Sequence, residues 1–448
     1  MSNAESVDSG QALDNNSKRM PCPKNRQLIL YSNRRQTPIL YIFLRTCPLS
    51  RHLPNFSNTE IAFSSKSNTQ LFLARSLFQL IQCNSLVHVG GKLLNFGFKM
   101  GLPLSSLVRW NIFRHFCGGE SIEECRTLMQ KQMEKGVFSI LDYGVEGEKT
   151  ESGFNASTAE IIRTAKEAAR SSEIAFIVFK FTAIASTDLL ERVSRCRAKK
   201  SPLSDADQIQ WTKVEARVDQ ICKAALDAKR PLMIDAEETW IQLAIDELAK
   251  TKMKQCNISG PCIYITFQMY RVDSLNRLKE IHEEAKRDSW HLGVKLVRGA
   301  YMEKEREYAQ KQNLASPIHP TKDNTDQAYD SALEYCLANL ESIGLCAGTH
   351  NEKSTVIATT FALQHSDQSP LKIHVKNNLW FSQLLGMSDN LTYNLAAAGL
   401  NAAKYVPYGP VHSVLPYLLR RAQENTSVNG QSSRELQLLD IEFTRRKG

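Results

Sequence analysis

Cationic and amide side chains recur where short apolar runs of this chain end. In the C-terminal part, Tyr405 stands in the run Tyr-Val-Pro-Tyr-Gly-Pro, and the helical segment after it carries Arg420 and Arg421. Upstream, Lys295 and Arg298 lie in a second run, which ends in cationic, glycine and aromatic residues. Because planar guanidinium groups match the two oxygens of a carboxylate, these runs predict one site for a small anionic molecule.

Polar residues also close most of the other apolar runs, among them Lys180, Asp235, Gln268, His350 and Gln383. Each has a structural interpretation when it is taken alone. Lys180 could lie along apolar surface with its ammonium in water, and Asp235 could cap the helix that follows it. In a barrel of parallel strands, however, the C-terminal strand ends meet at one face, where active sites lie. We therefore predict a shared site, in which Lys180 pairs with Asp235.

Eight short β-branched or aromatic runs follow Gly136, and segments with helical periodicity separate them. Several runs are apolar without alternation, as expected for parallel strands that are buried on both faces. The predicted strands are Phe138–Tyr143, Ile174–Phe181, Pro231–Asp235, Ile263–Phe267, Val294–Val297, Cys346–Thr349, Leu379–Leu385 and Ala403–Val406. The predicted helices between them include Asp205–Lys229, Glu238–Lys254, Asp273–Trp290, Thr325–Ile343 and Ser354–His365.

This alternation predicts an α/β fold, a (β/α)₈ TIM barrel. An open doubly wound sheet is the alternative, but no G-x-G-x-x-G follows an early strand. We predict a barrel over residues 136–430, a helical arm over 67–135 and a C-terminal helical tail over 431–448. Within the barrel, Glu146–Ser157 is predicted to be a polar loop.

The basic charge of the chain is concentrated near its N-terminus. The net charge is +9; residues 1–14 carry three acids and no base, and residues 15–59 carry eight Lys or Arg and no acid. Only +4 remains for residues 60–448, which argues against nucleic-acid binding. The acid-free segment resembles an organellar transit sequence, so we predict a disordered, transit-like segment over residues 1–66.

Cysteine and histidine spacing predicts no metal site. The eleven cysteines include no Cys-x-x-Cys pair, and no histidine spacing suits zinc. An odd number of scattered cysteines also favours reduced thiols over a secreted disulfide framework.

At its strand ends the chain resembles the proline dehydrogenase family. The resemblance rests on motifs that occur in order between about residues 137 and 430. They are Ser139-Ile-Leu-Asp-Tyr-Gly, Phe179-Lys-Phe-Thr-Ala, Met233-Ile-Asp-Ala-Glu-Glu, Phe267-Gln-Met-Tyr, Lys295-Leu-Val-Arg-Gly-Ala-Tyr, Thr349-His-Asn-Glu, Gln383-Leu-Leu-Gly-Met, Lys404-Tyr-Val-Pro-Tyr-Gly and Arg420-Arg-Ala-Gln-Glu-Asn.

The resemblance implies a distorted (β/α)₈ barrel that binds FAD at its C-terminal face, and it implies roles for individual residues. Arg420 and Arg421 would bind the proline carboxylate, and Glu424 would orient Arg421. Lys180, paired with Asp235, and Tyr405 would lie on the substrate side; these three residues and Lys295 form the predicted catalytic set. The residues that would line FAD are Gln268, Lys295, Val297, Arg298, Gly299, Thr349, His350 and Asn351. Whether Lys295 or Arg298 lies at flavin N5 stays open.

The implied reaction is oxidation of L-proline to 1-pyrroline-5-carboxylate by hydride transfer to FAD, the first step of proline degradation. Electrons would then pass to a quinone, and the protein would lie on the matrix side of the mitochondrial inner membrane, with peripheral membrane association. Two alternatives stay open. One is hydroxyproline dehydrogenase, although Tyr405 stands where hydroxyproline-oxidising relatives carry a small residue. The other is a (β/α)₈ lyase that forms a Schiff base through Lys180.

Overall fold

Eight parallel strands close into a barrel in the computed structural model, which describes residues 52–81, 112–365, 369–427 and 431–447. Each strand pairs with the next along the chain, and the eighth pairs with the first. The strands are β1 (Phe138–Tyr143), β2 (Ile174–Phe179), β3 (Leu232–Ile234), β4 (Ile263–Gln268), β5 (Leu292–Val297), β6 (Ile343–Gly348), β7 (Leu379–Leu384) and β8 (Ala402–Tyr408). The predicted barrel is confirmed, with all eight strands in place.

The N-terminal half of the barrel interior is filled by aromatic side chains. Phe176 meets Tyr264 and Trp380 edge to face at centroid distances of 5.4 and 5.1 Å, and Trp380 meets Phe138 at 5.2 Å. Edge-to-face contact suits the ring quadrupoles, and the rings exclude water from this end. The N-terminal end of the barrel is therefore closed by packed side chains, and a cavity opens at the C-terminal strand ends.

Helices surround the barrel and precede and follow it. Their bounds are α1 (Thr59–Ala62), α2 (Asn68–Ile81), α3 (Arg114–Phe116), α4 (Ile122–Glu134), α5 (Glu151–Arg170), α6 (Thr187–Lys199), α7 (Asp205–Asp227), α8 (Thr239–Cys256), α9 (Ser274–Arg287), α10 (Met302–Lys311), α11 (Lys322–Leu337), α12 (Glu352–Gln364), α13 (Lys372–Asn378), α14 (Asp389–Ala397), α15 (Val411–Ser427) and α16 (Gln431–Arg445). Within the described ranges, no helix is both long enough and apolar enough to cross a bilayer. The cysteines of these ranges are free thiols, and no cluster of three or more potential metal ligands is found there.

Two local predictions are wrong. The predicted polar loop Glu146–Ser157 contains the start of α5, whose first turn is capped by the Thr150 hydroxyl, an acceptor for the amide of Gly153. Much of the buried face of α5 consists of Ser, Thr and Ala, so its apolar periodicity is weak. The helix predicted to end at Ile343 ends at Leu337, because the Asn339 side chain donates to the carbonyl of Tyr335 near its C-terminus. Ile343 instead begins β6.

The predicted disordered segment 1–66 is too long at its C-terminal end. Phe56 is 4% exposed and belongs to the main hydrophobic core. The Asn390 side chain donates to the carbonyl of Phe56 at 3.0 Å, and Lys66 pairs with Asp389 at 3.0 Å. Residues 52–66 therefore pack against α14 and are part of the fold. Residues 1–51 of the predicted transit-like segment and residues 82–111 of the predicted helical arm lie outside the described residues.

Replacing Phe56 with Ala is expected to lower the free energy of unfolding by about 3 kcal/mol, because the substitution leaves a cavity in the core. Leu53→Ala is a matched control, since Leu53 is 51% exposed and its truncation is expected to cost less than about 0.5 kcal/mol. Chemical denaturation of both full-length variants measures the difference. Equal midpoints would show that residues 52–66 do not belong to the cooperative fold.

Candidate active site

A cavity of about 700 Å³ opens at the C-terminal ends of the strands. Its wall is formed by the ends of strands β2 to β8 and the loops that follow them, together with α15 and α16. The predicted site residues that line it are Lys180, Asp235, Gln268, Lys295, Val297, Arg298, Gly299, Thr349, His350, Asn351, Tyr405, Arg420 and Arg421. Strand-end placement therefore brings together residues that are far apart in the sequence, as the barrel topology requires.

Lys180 lies among three carboxylates. Its Nζ is 2.7 Å from Asp142 Oδ2, 3.6 Å from Asp235 Oδ2 and 3.8 Å from Glu146 Oε1. The predicted pairing of Lys180 with Asp235 is therefore incomplete, because the shortest contact is to Asp142. Asp142 lies within β1, next to β2 in the barrel, and Lys180 follows β2 directly.

These carboxylates keep Lys180 protonated. Burial alone would lower the pKa of the Lys180 ammonium, but the charges of Asp142, Asp235 and Glu146 outweigh burial and raise this pKa above its usual value. Burial of Asp142 raises the pKa of its carboxyl group, although the charge of Lys180 opposes that shift. The Lys180 ammonium is thus a fixed positive charge at the cavity wall.

Asp235 connects the two lysines with Tyr405. It accepts from Lys295 Nζ at 2.6 Å through Oδ1 and from the Tyr405 hydroxyl at 2.7 Å through Oδ2. Burial raises the pKa of the Asp235 carboxyl group, but the charges of Lys295 and Lys180 outweigh burial, and the resulting pKa is lowered. Lys295 Nζ also lies 4.5 Å from the centroid of the Tyr405 ring. The ring is therefore held in one position between cationic neighbours.

The two arginines of α15 have different neighbours. Arg420 makes two parallel hydrogen bonds to Glu146, at 2.7 and 2.8 Å, and its guanidinium lies 5.4 Å from the Tyr301 ring centroid. Arg421 is 6% exposed and lies 5.1 Å from the ring centroid of Tyr417. Sequence reasoning missed Glu146, because it lies in a loop at a distance of 274 residues from Arg420. The Glu424 side chain lies outside the described side chains, so its role stays a prediction.

Comparison with known proteins identifies the family of this fold and site. The family "Proline dehydrogenase" matches residues 125–434. Proline dehydrogenase 1, mitochondrial, of Dictyostelium discoideum is 32% identical over 432 residues, which cover 87% of this chain and 74% of the relative. The chain belongs to the proline dehydrogenase family. It is accordingly an oxidoreductase that acts on proline.

Two further similarities bear on fold and substrate. A hydroxyproline dehydrogenase of Xenopus laevis is 29% identical over 86% of this chain and 88% of the relative. The crystal structure of proline utilization A from Bdellovibrio bacteriovorus superposes with a TM-score of 0.62 at 19% identity, over 83% of this chain. The chain spans 38% of that longer protein, and at this identity the superposition shows the fold alone.

In this proline dehydrogenase fold, β5 ends as the sequence predicts. The strand stops at Val297, and Gly299 has a φ of +133°, a conformation that residues with a Cβ rarely adopt. Its backbone also packs so closely against Tyr270 that a Cβ would lie 2.5 Å from that ring. Arg298 therefore leaves the strand and donates to Thr349 Oγ1 at 2.7 Å, to Ser354 Oγ at 3.0 Å and to Asp326 at 2.5 Å.

Amide and imidazole groups of the cavity wall are held by neighbouring loops. Gln268 donates through Nε2 to the carbonyl of Glu237 at 2.7 Å and accepts through Oε1 from the amide of Ala300 at 3.2 Å. His350 contacts Ser388 Oγ through Nδ1 at 2.9 Å, and burial lowers the pKa of its imidazole to about 3. His350 is therefore neutral near pH 7. Sequence reasoning missed Glu237 and Ser388, whose roles depend on contacts between loops.

Proposed function

We propose that this protein oxidises L-proline to 1-pyrroline-5-carboxylate with FAD bound in the cavity. The observation that carries the proposal is the convergence of Lys180, Arg420 and Arg421 on one cavity. Such a set of fixed cations suits a small carboxylate. Tyr405 offers an apolar ring face beside them, as a pyrrolidine ring requires.

The cavity also fits a flavin dinucleotide. A volume of about 700 Å³ lies within the usual range for cofactor sites, and the mixture of apolar walls with a few fixed polar groups is typical. Gln268 and Lys295 could bind the polar edge of a flavin ring, and Arg298, Thr349, His350 and Asn351 lie along the same wall. When bound, the flavin would accept the hydride that the substrate loses.

The residues of this chain supply position and charge for that reaction. A proline carboxylate bound at the arginines would fix the ring, so that the carbon next to nitrogen faces the cofactor. Because Arg420 makes two hydrogen bonds to Glu146, the proline carboxylate must either share Arg420 with Glu146 or displace the Glu146 side chain. The proline amine must lose one proton and the ring carbon one hydride, and Asp235 holds Lys295 and Tyr405 in place while this happens.

The Schiff-base alternative conflicts with the charge state of Lys180. A lysine nucleophile requires a neutral amine, which sites of this kind achieve by lowering the pKa. Asp142, Asp235 and Glu146 instead raise the pKa of Lys180. Family membership and this electrostatic arrangement together favour flavin chemistry.

We further propose that electrons pass from the flavin to a quinone. The names of relatives such as the Dictyostelium enzyme include "mitochondrial", which supports a mitochondrial location. We propose that the protein lies on the matrix side of the inner membrane. Peripheral association with that membrane would bring a lipid-soluble acceptor within reach.

An anaerobic absorption spectrum of the full-length chain, recorded before and after addition of L-proline, tests the main proposal. We expect flavin bands that bleach with proline and bleach less readily with hydroxyproline. A chain that stays colourless after FAD is supplied would overturn the proposal. Reduction with borohydride in the presence of a carbonyl substrate would then test Lys180 as a Schiff-base residue.

Tyr405 provides the test against hydroxyproline as the preferred substrate. Its ring is fixed by a hydrogen bond to Asp235 and by the neighbouring lysines, so it cannot turn aside for an added hydroxyl group. We expect Tyr405→Ser to raise the ratio of kcat/KM for hydroxyproline to that for proline by about tenfold, since selection by fit alone is worth about 1–3 kcal/mol. Tyr405→Phe, which keeps the ring, should leave the ratio near that of the parent. An unchanged ratio in the serine variant would exclude Tyr405 as the selective residue.

A further inference from the structure

The first turn of α16 lies at the cavity, although the sequence places it in a separate tail. Arg434 and Glu435 both line the cavity. Glu435 is 5% exposed, and its carboxylate accepts from the backbone amide of Ser388, in the loop between β7 and α14. Arg434 lies 3.7 Å from Glu352, at the start of α12. The first turn of α16 is thus bound to the loops that follow β6 and β7.

The strand ends next to the first turn of α16 lie across the barrel from two residues of the predicted catalytic set. These two residues, Lys180 and Asp235, follow β2 and β3. In a closed ring of eight strands in sequential order, β2 and β3 lie across the barrel from β6 and β7. The cavity therefore extends from Lys180 and Asp235, near β2 and β3, to a distal end beside β6 and β7, where Arg434 and Glu435 of α16 line it.

Contacts with the N-terminal segment fix the position of α16. Arg446 donates to the carbonyls of Phe63 at 2.8 Å and Lys66 at 2.7 Å. Lys66 in turn pairs with Asp389, the residue after Ser388. The helix is therefore held at both ends, by Glu435 on the barrel and by Arg446 on the N-terminal segment.

The distal end also has suitable hydrogen-bonding groups for a nucleotide. Arg434 donates to Ser57 Oγ at 2.8 Å and to Gln437 Oε1 at 3.2 Å, which occupies two of the five guanidinium N–H groups. Asn351 and Lys353, the neighbours of Glu352 in the sequence, also line the cavity. An arginine with remaining donors suits a phosphate, and a carboxylate such as Glu435 can accept from a ribose hydroxyl.

We propose that the first turn of α16 completes the cofactor site at its adenosine end, where Arg434 binds a phosphate of the dinucleotide and Glu435 a ribose hydroxyl. This inference rests on the proposed FAD dependence. If the flavin ring lies beside Lys295 and Tyr405, the adenosine must extend toward the distal end of the cavity. The C-terminal helix is then part of the cofactor site rather than an appendage to the barrel.

Comparison of FAD with FMN isolates this end of the site, because FMN lacks the adenosine and the second phosphate. The full-length chain, freed of flavin, is titrated with each flavin, and quenching of flavin fluorescence gives Kd. Arg434→Gln is expected to raise Kd for FAD about tenfold, as the loss of one charge-assisted hydrogen bond implies. The same substitution should change Kd for FMN less than twofold.

Arg445→Gln is the matched control, since Arg445 lies on the same helix, pairs with Glu442 at 2.8 Å and has a side chain that is 45% exposed. Its FAD affinity should equal that of the parent.

Equal weakening of FAD and FMN binding by Arg434→Gln, or no weakening, would overturn the role of α16. Thermal melting of the flavin-free variants separates a folding defect from a binding defect. Binding of neither flavin by the parent would instead contradict the proposed FAD dependence itself.

Discussion

Asp235→Asn is expected to lower kcat/KM for proline at least a hundredfold. The side chain is buried and accepts from Lys295 and Tyr405, with Lys180 at 3.6 Å. An asparagine offers one acceptor oxygen, so its NH₂ group must face either the Lys295 ammonium or the Tyr405 hydroxyl. Removing one partner from a buried ion pair costs about 3–5 kcal/mol. Steady-state kinetics with an artificial electron acceptor measure the loss.

Asp326→Asn is the matched control for this prediction. Asp326 also pairs with two cations, Arg298 and Lys322, but its side chain is 22% exposed. Solvent compensates in part for the lost charge there, so we expect kcat/KM to fall less than tenfold. A threefold or smaller effect of Asp235→Asn would exclude the Asp235 network from catalysis. Flavin content, measured for both variants, separates loss of cofactor from slower chemistry.

The barrel could be predicted because its strands are buried on both faces. The run Ile174–Phe179 is wholly apolar and wholly buried, and such runs cannot be polar loops or surface helices. Once the strand ends are placed, the topology brings Lys180, Asp235 and Tyr405 to the same face. Helix α5 was partly missed because its small and hydroxyl residues form a buried face without an apolar signal.

The partners of the charged residues could not be read from the sequence in the same way. Lys180 follows β2, which pairs with both β1 and β3, so an acid on either strand is a plausible partner. The rotamer of Lys180 decides between the two acids, and the sequence does not determine that rotamer. In the structure, the Lys180 ammonium lies closest to Asp142. Likewise, Arg420 meets Glu146 only because the loop after β1 turns toward α15.

These pairs determine the charge that a substrate meets. Lys180, Lys295 and Arg420 each have a carboxylate within 2.7 Å, from Asp142, Asp235 and Glu146 respectively. Arg421 adds a fourth buried cation to the cavity wall. Because a substrate carboxylate can pair with these cations whereas a neutral amine cannot, a site of this composition favours a substrate that carries a carboxylate.

Arg421→Met is therefore expected to raise KM for proline about a hundredfold, with a smaller change in kcat. Arg421 is 6% exposed, so a bound carboxylate there has little water to replace a lost guanidinium. Hydrogen bonds between charged groups contribute about 1.5–3 kcal/mol each. Arg421→Lys keeps the charge but loses the planar fork, so its KM for proline should lie between those of the parent and Arg421→Met.

Pyrrolidine, which has the ring but no carboxylate, is the matched substrate: its kcat/KM should be nearly the same in the parent and in Arg421→Met. Equal losses for proline and pyrrolidine would mean that Arg421 supports the structure of the site rather than the substrate carboxylate, because only a direct contact distinguishes the two substrates.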